Sequence, residues 1–250
     1  MNAILRATEH RPFPLPSGAW VMTQRWHDLL FAHWAMDPES VRPLLPSPLR
    51  PTLDTFGGKA WVGVIPFWMS HVKFRGLPAI PGLSKFAEMN VRTYVTVDGK
   101  PGVYFFSLDA ESLAAVYGAR IGFGLAYFYA KMSVSLDTDN KFHYESRRLQ
   151  HPKSAEFVGT YAPTASATFN AAPGSIEEFL VERYCLYTAD KRGRIHRGNI
   201  HHLPWPLQQA RADIQVNNVA QSHGIRLPEE TPLLHFAKQL DVFIWPPERA

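Results

Sequence analysis

The chain has 250 residues, 46% of them hydrophobic and 19% charged, with a formal net charge of +4. That composition excludes a disordered chain, and its scattered basic residues lack the stripe or module that a nucleic-acid groove requires. The single cysteine, Cys185, excludes an intrachain disulfide and fits a reducing compartment, and no run of about 18 apolar residues could span a membrane.

The N-terminal residues 1–19 read as an irregular, Pro-rich arm without the apolar core of a signal peptide. A cytoplasmic protein is the expectation, with residues 20–250 as one domain. The run from Arg25 to Met36 is strand-like. Asp37-Pro38 starts a short helix, Asp as cap and Pro at the first helical position, ending near Pro46. Residues 59–75 read as one long strand or two short ones, with Pro66 arguing for an edge or a bulge. Residues 76–84 form a loop by their Gly and Pro content.

Residues 86–97 and 102–108 form the clearest hairpin, turned at Asp98-Gly99-Lys100-Pro101. A helix over 110–121 follows, capped by Asp109 and ended by Gly122 and Gly124. A second hairpin runs over 126–136 and 141–149. After a strand at 155–162, Ser175 and Glu178 form a capping box for a helix starting at Ile176. Strands are expected at 184–189 and 194–201, with the basic cluster Lys191, Arg192, Arg194 and Arg197 at their turn. Another strand starts near Leu207, a short helix covers 215–222, and a last strand falls within 233–245. The pattern is α+β, mostly antiparallel β, with about three helices.

The segment Phe86–Val97 carries the most chemistry. Strand side chains alternate faces, so Glu88, Asn90, Arg92 and Tyr94 share one face while Met89, Val91, Thr93 and Val95 share the other. The polar row is a solvated face in an open sheet and lines an interior in a closed one, where its charges must be paired or used. Arg120 stands before the Gly-rich stretch Gly122-Phe123-Gly124. It can offer its guanidinium to a carboxylate or pin the loop through backbone carbonyls. Tyr127, Tyr129 and Lys131 share a strand face, and Lys131 reads as a surface lysine.

Eleven histidines occur, including His33 and the pair His201-His202 before Pro204-Trp205-Pro206, without a metal-binding spacing. No metal or other cofactor is expected. Cys185 reads as a small buried hydrophobe. There is no nucleophile elbow, P-loop or dinucleotide fingerprint.

Taken together, LLFAHW at 29–34, LLPSPL at 44–49, AWVGVIPFWM at 60–69, EMNVRTYVTVDGKPGVYFFSLDA at 88–110, ERYCLYT at 182–188 and IHRGNIHHLPWPLQQA at 195–210 resemble the YqjF-like family, domain of unknown function 2071. That family is similar in fold to acetoacetate decarboxylase. The resemblance implies a closed, cone-like β-barrel with flanking helices, which turns the Glu88 row toward an enclosed cavity. The decarboxylase uses a Schiff-base lysine, one of two adjacent lysines. Here Tyr127 and Phe128 stand about where that pair falls, and no lysine lies between Lys100 and Lys131.

Two functional classes follow. In the first, an enzyme acts on small oxo or carboxylic acids without an imine. Glu88 and Tyr127 serve as acid/base groups and Arg92, Arg120, Asn90 and Tyr94 hold the substrate. In the second, a binding or sensing domain holds an acidic or aromatic metabolite in the same cavity. The expected partner is a small molecule, not nucleic acid or membrane, and a homo-oligomer is compatible with an edge strand.

Overall fold

The computed structural model describes residues 3–78, 84–149, 155–190 and 193–250. In chain order the elements are β1 (Met22–Met36), α1 (Pro38–Val41), β2 (Ala60–Phe74), β3 (Phe86–Val97), β4 (Lys100–Ala110), α2 (Leu113–Phe123), β5 (Tyr127–Leu136), β6 (Phe142–Arg148), β7 (Glu156–Pro163), α3 (Ile176–Val181), β8 (Cys185–Ala189), β9 (Ile195–His201), β10 (Leu207–Asn217), β11 (Leu233–Ile244) and β12 (Glu248–Arg249). The strands are linked in the order β12-β9-β8-β4-β3-β2-β1-β11-β10-β7-β6-β5, and two additional pairings, β9–β11 and β4–β5, close the sheet on itself twice. All pairings are antiparallel except β4–β5 and β4–β8.

The two closures make two rings of strands that share β1, β2, β3, β4 and β11. A shared strand has an interior on each face, so both of its side-chain sets are buried. Leu29 and Phe31 of β1 pack in one hydrophobic cluster while Leu30, Ala32 and Trp34 pack in the other. On β3, Phe86 and Tyr94 join the first cluster, and Ala87, Met89, Val91 and Val95 join the second. The alternation expected for this strand is what divides it between the two interiors.

Local chemistry explains most of the boundaries. The β3–β4 turn is tighter than expected. Asp98 (φ 51°) and Gly99 (φ 71°) are both left-handed, the signature of a two-residue type I′ turn, and Val97 already pairs with Lys100. The β3–β4 register shifts between Val91 and Arg92, leaving Phe106 as the extra residue on β4. This bulge changes the parity of β4, so Val103 and Phe105 before it and Leu108 after it face the same cavity. Pro66 lies inside β2, which pairs on both sides, and the β1–β2 ladder shifts register opposite it, between His27 and Ala32. Of the two alternatives for Pro66, the fold uses the bulge, where a missing N–H costs no ladder bond.

Two expectations are corrected. Asp109 is not a helix cap; it ends β4, buried, and its Oδ1 accepts from Arg148 Nε at 2.9 Å. Ser112 caps α2 instead, accepting from the Ala115 amide, and Gly124 (φ 64°) stops it. A helix over 215–222 does not form. β10 continues to Asn217 because it pairs with β7, and only Gln221–His223 make a 3₁₀ turn. The N-terminal arm is irregular after a 3₁₀ turn at Ala3–Arg6, yet it is docked. Arg11 is buried and donates from Nη1 to the Ile200 carbonyl at 2.8 Å. Of the loop expected at 76–84, residues 79–83 lie outside the described residues, as do Lys191 and Arg192 of the basic turn. Arg194 pairs there with Asp190 and Arg197 with Glu248. No helix among the described residues is long and apolar enough to cross a membrane.

Candidate active site

The interior of the ring formed by β9, β8, β4, β3, β2, β1 and β11 holds a cavity of about 120 Å³. Its wall is mainly apolar, with Met22, Trp26, Val103, Phe105, Leu108, Val181 and Ile200 among its residues. The polar groups in that wall include Gln24, Glu88, Arg92, Tyr127, Arg183 and His202. This is the composition of a small-molecule site, an apolar body with a few placed polar groups.

Glu88 is 3% exposed. Its strand phase aims it into the ring, and the Tyr144 hydroxyl fixes the backbone there by donating to the Glu88 carbonyl at 2.7 Å. Tyr127, at the start of β5, donates its hydroxyl to Glu88 Oε2 at 2.8 Å. Burial raises the Glu88 carboxyl to about 8. The Tyr127 hydrogen bond partly opposes that rise, and the Asp109 carboxyl adds to it. Glu88 is therefore a neutral acid at pH 7. Its Oε2 accepts from Tyr127, and Oε1 is the oxygen available to carry the proton. Burial and the adjacent Glu88 push the Tyr127 phenol well above its usual range, so it acts as a hydrogen-bond donor.

Arg92 stands four residues along β3 on the same face. Its Nη2 donates to the Leu180 carbonyl of α3 at 3.1 Å, whereas its Nε is buried without a hydrogen-bond partner. The guanidinium lies 5.5 Å from the Phe31 ring centroid. Arg183, 6% exposed, reaches the wall from the residues after α3. It donates to the Phe179 carbonyl at 2.6 Å and to Asp54 Oδ2 at 2.8 Å. The His202 imidazole is lowered by burial to about 3 and is neutral, its Nδ1 2.7 Å from the Leu203 carbonyl.

Of the other residues singled out in the sequence, Cys185 lines this wall, while Tyr94, Asn90, Arg120, Lys131 and His201 lie outside it. Tyr94 is buried on the same β3 face, but its hydroxyl donates to the Leu180 carbonyl at 2.9 Å and meets His33 Nε2 at 2.7 Å. Asn90 is buried between Glu88 and Arg92 in sequence, with Oδ1 unpartnered. Arg120 donates from Nε to the Tyr127 carbonyl at 2.7 Å, the loop-pinning alternative, and so orients the strand end that carries Tyr127. Lys131 is exposed, and no lysine is among the residues lining the cavity. His201 meets the arm at the Ile4 carbonyl, 2.7 Å from Nε2. Among the described residues no three His, Cys, Asp or Glu side chains converge as a metal site requires.

Sequence reasoning missed Arg183, His202 and Trp205 as wall residues. The signal available was the segment His201-His202-Leu203-Pro204-Trp205-Pro206. Its prolines stop β9 and hold His202 and Trp205 over the end of the ring.

The model of the DUF2071 family, uncharacterized conserved protein, matches residues 23–241. Uncharacterized protein YqjF of Bacillus subtilis (strain 168) is 48% identical over 238 residues, covering 95% of this chain and 96% of that protein. Among solved structures, an acetoacetate decarboxylase superposes with a TM-score of 0.60 at 13% identity, covering 94% of this chain and 90% of that one. An acetoacetate decarboxylase-like enzyme from Sphingomonas wittichii RW1 gives 0.61 at 12% identity, covering 96% and 98%. The enduracididine biosynthesis enzyme MppR, complexed with pyruvate, gives 0.61 at 11% identity, covering 96% and 93%. At these identities the structural likeness concerns the fold.

Proposed function

The chain belongs to the DUF2071 family, and from that premise we propose that the Glu88 cavity is an active site for small oxo or carboxylic acids that works by acid/base chemistry without an imine. The observation that carries this reading is Glu88 itself. It is a buried carboxyl raised to about 8, held by Tyr127 at 2.8 Å in the wall of a cavity that also contains Arg92. A carboxyl that keeps its proton at pH 7 can pass it to an oxo or enolic oxygen and recover it afterwards. Arg92 would hold the substrate carboxylate, and Tyr127 would stabilise the Glu88 carboxylate formed after transfer. Asn90, Tyr94 and Arg120 support the site from behind, through β3, α3 and the start of β5.

The two ring closures support a closed-barrel reading of the sheet. The pyruvate held by MppR in a similar fold supports an oxo acid as the ligand class. An imine route has no lysine in the cavity wall to start from.

The test is proton NMR of a panel of small oxo acids incubated in D₂O with wild-type protein and E88Q. The proposal expects exchange or turnover with wild type and its loss in E88Q, with binding retained. Binding by wild type without exchange or turnover of any acid would replace catalysis with the alternative, a binding or sensing domain. Absence of binding would remove both.

A further inference from the structure

The ring around the Glu88 cavity closes where β9 meets β11, and that closure consists of two residue pairs, Ile200 with Ile244 and His201 with Phe243. Ile200 and His202 line the cavity, whereas Ile4, His10 and Arg11 of the N-terminal arm do not. The arm nonetheless holds all three residues of the closing segment. Arg11 Nη1 donates to the Ile200 carbonyl at 2.8 Å, His10 Nε2 donates to the His202 carbonyl at 2.8 Å, and His201 Nε2 lies 2.7 Å from the Ile4 carbonyl. Just after the arm, the Val21 amide donates to the Ile244 carbonyl at 2.8 Å. Two pairs make a short ladder, and a segment held by few backbone hydrogen bonds opens locally at low cost.

The hydrogen bonds fix the protonation state of His201, which is fully buried. A carbonyl oxygen only accepts, so Nε2 carries the proton shared with Ile4. A guanidinium only donates, and Arg11 Nη1 lies 3.2 Å from His201 Nδ1, so Nδ1 must present its lone pair. A second proton on this ring would sit on Nδ1, against the guanidinium. Arg11 is held by neutral groups, the Phe13 and Ile200 carbonyls and this imidazole, and lies 4.6 Å from the Tyr184 ring centroid. Burial lowers it to about 10, so it remains a cation at neutral pH. The Tyr184 phenol and the Cys185 thiol beside it are raised by burial and stay neutral. His10 stacks on His201 with ring centroids 5.6 Å apart. Across the closure β11 offers Phe243, and Glu182 is engaged by the Tyr184 hydroxyl and the Trp205 amide. Burial lowers the His201 imidazole below its ordinary 6.5; the Ile4 bond opposes that, and Arg11 and His10 add to it.

We propose that the arm is a proton-sensitive clasp on the Glu88 cavity. Arg11 and the neutral His201 are positioning residues that hold the closing segment of β9 in place, and a proton on His201 Nδ1 releases them. The clasp acts on the wall whether the cavity turns a ligand over or only holds one. Above 6.5 the docked and released forms bind the same protons at His201, and docking is at full strength. Below it the released form takes up a proton that the docked form lacks, so docking weakens as pH falls.

Amide hydrogen exchange of the intact protein, with rates corrected for their intrinsic pH dependence, tests this. Protection over 4–11 and 199–203 should fall together by about tenfold between pH 7.5 and pH 5.5, the ratio set by one imidazole that titrates near its ordinary value only when released. Protection in β6 should not change. H201N keeps an acceptor for Arg11 and cannot take up a proton, so it should abolish the fall. R11M should remove protection from both segments at pH 7.5 and lower the Glu88 carboxyl from about 8 toward 4.5, which ¹³C NMR reads. If both variants are unstable, wild type still answers. Long-range ¹H–¹⁵N spectra at pH 7.5 should show His201 as the Nε2–H tautomer. Equal protection at the two pH values, a fall shared by β6 or kept in H201N, or an Nδ1–H tautomer would overturn the proton-sensitive joint. Loss of protection in R11M with Glu88 still at about 8 would overturn the clasp on the cavity.

Discussion

The Tyr127 hydroxyl donates to Glu88 Oε2 at 2.8 Å, joining β5 to β3, two strands that are not hydrogen-bonded neighbours because β4 lies between them. The contact exists because the short parallel pairing of β4 with β5 sets Tyr127 beside Leu108, and Leu108 sits opposite Asn90 on the other side. A phenol and a carboxyl 39 positions apart thus meet in a buried interior, and neither can ionise there without cost.

Replacing Tyr127 with Phe should raise the Glu88 carboxyl further above about 8, since the hydrogen bond that opposes the effect of burial is gone. Titration of the Glu88 side-chain carbonyl by ¹³C NMR would measure this. An unchanged or lower value would mean that Tyr127 does not stabilise the ionised form.

The raised carboxyl also makes folding stability depend on pH. In the folded protein Glu88 holds its proton up to about 8, and its ordinary value is 4.5. Between those values the folded state binds more protons than the unfolded chain, so the Glu88 contribution to stability falls as pH rises. It is full below about 4.5 and lost through about 8. Asp109, raised by burial to about 6, adds to the lower part of the window. Urea midpoints at a series of pH values from 5 to 8 should decline for wild type and decline less for E88Q. Parallel curves would contradict the assignment.

In the other interior, Arg148 and Asp109 form an ion pair in which both side chains are almost wholly buried. Arg148 also lies 4.2 Å from the Phe128 ring centroid and donates to the Ser222 hydroxyl at 3.1 Å. D109N leaves a buried guanidinium without its counter-charge and should cost about 3–5 kcal/mol in denaturant unfolding. Replacing both partners with leucine should cost less than that single change. A double variant as unstable as D109N would show that the loss is one of packing rather than of charge.

Gly102 is required by a close approach. A Cβ there would lie 2.6 Å from the Cys185 carbonyl oxygen and 2.7 Å from the Tyr187 ring. Both groups belong to β8, whose parallel pairing with β4 helps close the cavity ring. G102A should destabilise the protein by about 1–3 kcal/mol, and, by moving β8, should also weaken any ligand of the Glu88 cavity. Thermal unfolding with and without pyruvate, the oxo acid named above, would register both effects.

The amino-acid sequence by itself determined the strands, most of their turns, and the two faces of β3. These depend on near neighbours in the chain. A period of two places Glu88 and Arg92 on one side whatever the strand later packs against, and Asp98-Gly99 makes its turn from its own backbone preferences. Local preference also misled at Asp109, where a good capping residue was taken by Arg148, 39 positions away. Only the tertiary structure decided that the polar face of β3 is an interior one. That depends on β9 meeting β11 and β4 meeting β5, and such long-range pairings have no local signature. The same closures bring Tyr127, Arg183, His202 and Trp205 to one cavity with Glu88 and Arg92. Burial of that kind, a property of the closed ring and not of any segment, keeps the Glu88 proton in place.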